Sequence, residues 1–315
     1  MRTSLFFGSV LAAGLSLTGA VPAGAVQGPD NGRITFSRYD PTMDRETIWI
    51  ADDDGQNPEQ LISGPSWFSD WSPDGTRIAF DFADDTGVHI ATIGVDGQQR
   101  ETIFSEPGIQ DSPDWSPDGQ WVAFNAMDAS LPYFSTSIWM VRPDGTDARR
   151  VTSGGFDVEP VFSPDSSQIA FTRIVDNGDE EHPQVNSLHV VNTDGTGLRE
   201  VVPARAGLEH PDWSPDGKWL GFNIAGQHRH LADSGALLAV RPDGKALHVL
   251  RARTADLSFF KIAWSPDGKR LLMGCFDSTI HRDRLCTSTA GGGNVHPIEM
   301  ADQSWVNHPA WGPAP

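Results

Sequence analysis

The sequence predicts an all-β fold, a six-bladed β-propeller of four-stranded antiparallel blades closed by pairing of its N- and C-terminal segments. Three observations predict it. Trp-Ser-Pro-Asp-Gly stands complete at Trp71–Gly75, Trp115–Gly119, Trp213–Gly217 and Trp264–Gly268, is degenerate at Phe162–Ser166, and is cut short at Trp311-Gly312-Pro313. The lead aromatics are 44 to 51 residues apart, a period that marks propellers or stacked arrays when the units are short strands. A second turn series, Asp54-Gly55, Asp96-Gly97, Asp144-Gly145, Asp194-Gly195, Asp243-Gly244 and the degenerate Gly291-Gly292, keeps the same count and phase. Finally, residues 30–38 resemble the segment after the first turn and residues 308–313 the segment before it. Each end thus supplies the half-blade the other lacks, which would leave no sheet edge exposed.

Residues 1–25 read as a secretory signal peptide. Arg2 is a short positive start, Ser4 to Val21 is apolar or small, and Ala23-Gly24-Ala25 offers a cleavage site. The alternative, an uncleaved membrane anchor, has the length but is broken by Gly and Ser. Cleavage leaves residues 26–315 as one propeller domain. It removes one Arg and no acid, taking the formal charge from −19 to −20. Such an acidic domain repels nucleic acid and anionic lipid, which bind through Lys and Arg. The expectation is a monomer outside the cytoplasm, periplasmic or secreted, with no membrane insertion after cleavage.

Residues 110–152 serve as the type repeat. Gln110 to Trp115 is a strand, and Ser116-Pro117-Asp118-Gly119 is a turn in which Pro fixes φ, Asp bonds its own backbone and Gly takes positive φ. Gln120 to Asn125 and Ser137 to Val141 are the next strands, then Asp144-Gly145 turns into Ala148 to Thr152. Four-stranded sheets repeated radially bury both faces against their neighbours, and a Trp ring suits the wedge between them. Cys275 and Cys286 flank residues 277–284 symmetrically. In an exported chain they would form a disulfide across a hairpin, the alternative being two inert half-buried thiols.

The repeat Trp-Ser-Pro-Asp-Gly-x-x-(Ile/Val/Leu)-Ala-Phe, followed by Ile-Trp and Asp-Gly, resembles that of the TolB-type propellers, a branch of the WD-like family, over essentially residues 30–315. The resemblance implies an exported scaffold that docks an envelope protein, with Trp71, Asp74, Gly75 and their equivalents shaping blades rather than binding. TolB itself carries a separate α/β domain ahead of its propeller, for which this chain has no room, so membership of a Tol complex does not follow. The same repeat builds the propellers of prolyl-oligopeptidase-like enzymes and of some polysaccharide lyases. No Gly-x-Ser-x-Gly, His-Glu-x-x-His or phosphate loop is present.

With the tight turns on one face, the longer loops gather on the other, where function concentrates. Asp176 to His182 is a polar loop. His228 and His230 could share a strand face for a metal, but no third ligand is identifiable. Four residues before each lead aromatic stand Trp67, Asp111, Val158, Glu209, Phe260 and Asn307, oxygen-bearing in alternate blades, with Glu159, His210 and His308 beside them. Two readings are open. Asp111, Glu209 and Asn307 could converge on the axis, where hard oxygens suit Ca²⁺ or a partner's protonated amine, or each could cap its own strand. No catalytic residue and no obligatory cofactor is assigned. The function expected is a non-catalytic cell-envelope scaffold that binds a protein or peptide through Asp111, Glu159, Glu209, His210, Asn307 and His308. The alternative is a polysaccharide lyase or glycosidase at the channel mouth.

Overall fold

The computed structural model describes residues 31–127, 135–176, 184–225, 233–300 and 305–314. The signal-peptide segment, residues 177–182 of the polar loop, and His228 and His230 lie outside them. In chain order the first strands are β1 (Asn31–Asp40), β2 (Arg45–Ala51), β3 (Glu59–Gln60), β4 (Ser69–Trp71), β5 (Arg77–Asp84), β6 (Gly87–Gly94), β7 (Glu101–Phe104) and β8 (Gly108–Trp115). Next come β9 (Val122–Met127), β10 (Thr136–Val141), β11 (Arg149–Arg150), β12 (Phe156–Phe162), β13 (Gln168–Asp176), β14 (Gln184–Asn192), β15 (Arg199–Arg205) and β16 (Leu208–Trp213). The chain finishes with β17 (Leu220–Ile224), β18 (Leu237–Val240), β19 (His248–Arg251), β20 (Leu257–Trp264), β21 (Arg270–Asp277), β22 (Arg282–Thr289), β23 (His296–Pro297) and β24 (Val306–Pro313). No helix among the described residues is long and apolar enough to cross a membrane.

These strands form an all-β propeller of small antiparallel blades. Four sheets are separate and four-stranded, in the orders β24-β1-β2-β3, β12 to β15, β16 to β19 and β20 to β23. The sequence predicts six separate blades, and here the structure differs. Strands β4 to β7 and β8 to β11 share one eight-stranded sheet, joined by a short parallel pairing of β6 with β8. Glycine permits it: Gly87 faces Gly108, and a Cβ on Gly87 would lie 2.2 Å from the Gly108 carbonyl oxygen.

The five-residue turn folds for local reasons. In the first copy, Gly75 N–H donates to the Ser72 carbonyl at 2.9 Å, and Ser72 Oγ donates to Asp74 Oδ1 at 2.6 Å. The same Ser72 Oγ accepts from Arg77 N–H at 2.9 Å. Equivalent bonds recur at Ser116, Ser163, Ser214 and Ser265. The strand after each turn buries one large side chain completely: Phe36, Phe80, Phe124, Phe171, Phe222 or Met273.

Between sheets, a lead aromatic lies on a small residue of the preceding unit. Trp115 shares a core cluster with Ala79, Phe162 with Ala123, and Trp213 with Ala170. Gly221 serves Trp264, since a Cβ there would approach the indole to 2.6 Å, and Gly312 serves Trp71 in the same way at 2.4 Å.

The chain ends meet as expected. β24 pairs antiparallel with β1, with Ile34 opposite Trp311 and Ser37 opposite Asn307. Val306, Ala310 and Trp311 are buried at this joint. Cys275 and Cys286 form a disulfide, with Cα atoms 6.0 Å apart. They are not directly opposite, because the turn spans residues 278–281 and so is centred nearer Cys275 than Cys286. Cys275 pairs with Arg284 and Met273 with Cys286, so the bridge runs diagonally between same-face positions.

Two measurements check these joints. Deleting residues 308–315 removes the buried Trp311 and opens an edge, so the melting temperature should fall on the order of 10 °C or more. An unchanged value would mean that closure contributes nothing. Mass spectrometry of the non-reduced protein after alkylation should find no free thiol, and the double Cys275→Ser, Cys286→Ser variant should lose about 2–3 kcal/mol. Two alkylated thiols would disprove the bridge.

Candidate binding site at the inner ring and loop face

The inner strand of most units carries a β-bulge just before its lead aromatic, whereas β4 pairs with β5 in unbroken register. Register shifts fall between Asp111 and Asp114, Val158 and Val161, Glu209 and Asp212, and Phe260 and Ile262. At the third residue before the aromatic the backbone turns left-handed, with φ of 55° at Ser112, 57° at Glu159, 52° at His210, 44° at Lys261 and 45° at His308. None is glycine, so each stores backbone strain that the surroundings must hold.

Side-chain oxygens hold it. Asp81 Oδ1 accepts from the N–H groups of Trp67 and Phe68 at 2.8 and 2.9 Å. Asn125 Oδ1 accepts from Glu159 N–H at 3.2 Å, and Asn223 Oδ1 from Lys261 N–H at 3.1 Å. Glu159 Oε2 accepts from His210 N–H at 2.7 Å, and Asn307 Oδ1 from His308 N–H at 2.8 Å.

One residue before the aromatic, three aspartates tie neighbouring units together. Asp70 Oδ2 accepts from Trp115 N–H and Asp114 Oδ2 from Phe162 N–H, both at 2.7 Å, and Asp212 Oδ2 from Trp264 N–H at 2.8 Å. All three line a small axial cavity of about 120 Å³, with Glu159, Lys261 and His308 beside them. Burial pushes Asp70 up to about 6 and Asp212 to about 7, and it raises Asp114 well above the carboxylate range with the Asp70 charge adding to it. Asp81, buried and repelled by Asp111, rises to about 8.

One of the two sequence readings placed Asp111, Glu209 and Asn307 around the axis, and the other had each cap its own strand. The structure gives the axial cavity instead to residues one to three before the aromatic, because the bulge redirects the strand. Asp111 stays within its own unit, accepting from Asn125 Nδ2 at 2.7 Å and Ser112 Oγ at 3.1 Å. Glu209 and Asn307 instead line a loop-face groove of about 570 Å³ with His210, Phe260 and Asp283. The three Ca²⁺ candidates therefore do not share one cavity, and among the described residues no cluster of three or more His, Cys, Asp or Glu is arranged to hold a metal.

The remaining site candidates do meet. His210 Nε2 lies 3.2 Å from Glu159 Oε1, its Nδ1 lies 3.1 Å from Asn223 Oδ1, and its ring sits 5.8 Å from that of His308. His308 in turn packs on Phe68 at 4.2 Å and places Nδ1 3.7 Å from Glu46 Oε2. Burial holds both imidazoles below their usual range, against the pull of Glu159 on His210 and of Glu46 on His308. Burial also raises Glu209, with the Glu159 charge adding to it. Lys261, Asp283 and the aspartate ring were missed. The ring was visible in the sequence as Asp-Trp-Ser-Pro-Asp-Gly at three repeats.

Residues 24–315 match the family model described as the TolB beta propeller domain. The chain belongs to the TolB beta propeller family. The uncharacterized protein Atu1656 of Agrobacterium fabrum is 28% identical over 191 residues, which cover 56% of this chain and 61% of that protein. The Tol-Pal system protein TolB of Legionella pneumophila is 37% identical over 67 residues, 21% of this chain and 16% of that one. The chain thus spans 61% or less of the length of these curated relatives. TolB from Acinetobacter baumannii superposes with a TM-score of 0.72 at 22% identity, covering 90% of this chain and 67% of that structure. At that identity the likeness is one of fold.

The aspartates of this TolB-family propeller set its response to pH. Burial works against the turn carboxylate of Asp267, but hydrogen bonds from Ser265 and Lys269 outweigh it and hold the group at about 2. Its contribution is present above the ordinary carboxylate range and lost as pH falls through that value. The inner aspartates act in the opposite sense. They stay protonated in the fold while the unfolded chain ionises, so stability falls as pH rises from about 4 to about 8. The buried imidazoles of His210 and His308, held low, work the other way at acid pH, so the melting temperature should decline from about pH 6.5 toward pH 8. Asp81→Asn, which keeps the acceptor for Trp67 and Phe68, should flatten the upper end. A melting temperature that climbs steadily from pH 5 to pH 8 would mean these carboxylates ionise without penalty.

Proposed function

We propose that residues 26–315 form an exported, non-catalytic, monomeric scaffold that holds a protein or peptide of the cell envelope in its loop-face groove, residues 1–25 being the export signal. The eight-stranded sheet counts as two blades in this reading, which brings the ring to six. The observation that carries it is the groove itself, where Glu209 and Asn307 from two different sheets open beside Asp283. The carboxylates of Asp70, Asp114 and Asp212, nearer the axis, are already committed to backbone N–H groups. The Cys275–Cys286 disulfide supports an oxidising compartment. The relative named as a Tol-Pal system protein supports an envelope partner, and the periplasm or the exterior is the compartment assigned.

A pull-down from envelope extract should capture a defined partner. Glu209→Lys, at a side chain 30% exposed, should weaken that partner several-fold and leave the melting temperature within a few degrees. Failure to capture any partner, together with new unsaturated ends when the protein is incubated with acidic polysaccharides, would replace the scaffold by a lyase.

A further inference from the structure

Beside the groove lies a second pocket of about 400 Å³, lined by Tyr39, Glu46, Asp283, Trp305, Val306 and Asn307. Asp283 and Asn307 line both, so the two spaces adjoin. Three features distinguish this pocket from the rest of the loop face.

The first is its aromatic wall. Trp305 is 54% exposed and Tyr39 36%, and among the described residues no other Trp, Tyr or Phe is exposed. Their backbones are fixed together, as Tyr39 N–H donates to the Trp305 carbonyl at 3.0 Å, and the Tyr39 hydroxyl donates to Asp44 Oδ1 at 2.5 Å. The Tyr39 ring is thus held at both ends, and the backbone that carries Trp305 is held beside it.

The second is its carboxylate pair. Burial pushes Asp283 up to about 6, and the charge of Glu46 adds to it. Burial also works to raise Glu46, but His308 and Ser37 outweigh it and keep that carboxylate ionised. Two acids that repel one another inside a pocket gain on both sides when a cation enters.

The third is the combination. Carboxylates beside an exposed Trp and Tyr match a planar guanidinium, which donates to carboxylate oxygens in a fork and stacks on aromatic faces. A formal charge of −19 over the whole chain would draw a basic segment toward it.

We propose that this pocket receives an arginine side chain from the partner protein, with Asp283 and Glu46 facing the guanidinium and Trp305 and Tyr39 covering its faces. The proposal rests on the partner-binding reading and supplies the chemistry of the partner's anchor. The adjoining groove would take the flanking residues of the same segment.

The test uses a capped tripeptide, acetyl-Gly-Arg-Gly-amide, titrated into the whole protein at pH 7.5 and low salt and followed by calorimetry. The control replaces arginine by citrulline, which keeps the shape and removes the charge. Saturable binding of the arginine peptide is expected, with the citrulline peptide at least about ten-fold weaker. Asp283→Asn and Trp305→Ala should each weaken the arginine peptide at least about five-fold, and both variants should keep the parent's melting temperature within a few degrees. Equal binding of the two peptides, no saturable binding by the parent, or parent-like affinity in both folded variants would overturn the pocket. An envelope partner that binds Asp283→Asn as tightly as the parent would overturn it too and leave the scaffold standing. Arginine-selective binding to a protein that captures no envelope partner would uphold the pocket and overturn the scaffold.

Discussion

Every joint in this molecule depends on how the lead aromatic of one unit is held by the unit before it. At most joints the ring packs with a residue of little or no side chain, Ala79 with Trp115, Ala170 with Trp213 and Gly221 with Trp264, whereas Trp311 packs with Leu272. At three joints the preceding Asp also takes the aromatic's backbone N–H. Packing sets the distance between sheets and the hydrogen bond sets their register. A bulkier residue under the ring would push the sheets apart, and one misplaced wedge would be felt around the circle, because closure leaves no free end to absorb the error.

That arrangement brings inner strands close to the axis at a cost. Their backbones bulge, five residues other than glycine adopt left-handed φ, and three carboxylates sit where ionisation is resisted. Much of the polar chemistry of the inner ring is consumed in offsetting this. Asp81, Asn125, Asn223 and Glu159 read as functional groups by residue type, yet each is occupied by a neighbouring N–H. The groups left for recognition lie farther out, where loops and the terminal joint leave aromatic and acidic side chains open.

The division between what the sequence revealed and what it withheld follows from the same physics. Turns are local, so Ser72 to Arg77 and its copies could be read directly, and a wedge needs a large ring, so the recurring lead aromatic, Trp or Phe162, marked every unit. Pairing of β1 with β24 was legible because each end carries half of a known pattern. A bulge, by contrast, depends on the approach of another sheet and breaks strict alternation without changing composition. For that reason Glu209 and Asn307 were placed on the axis, whereas Lys261 and His308 line it. The fusion of β6 with β8 was hidden for a similar reason, since Gly87 and Gly108 become partners only once the two units are folded side by side. Trp305 escaped notice because nothing in a repeat says which Trp will be left uncovered.

The terminal joint also orders events in time. Strand β1 is synthesised first and its partner β24 last, so the edge formed by Ile34 to Arg38 waits unpaired while every other unit is made. Contacts that span nearly a whole chain form slowly, and an open β edge invites pairing with a second molecule. The window in which this protein is most exposed to misassembly therefore spans the making of every strand between the two, and it ends only when β24 emerges.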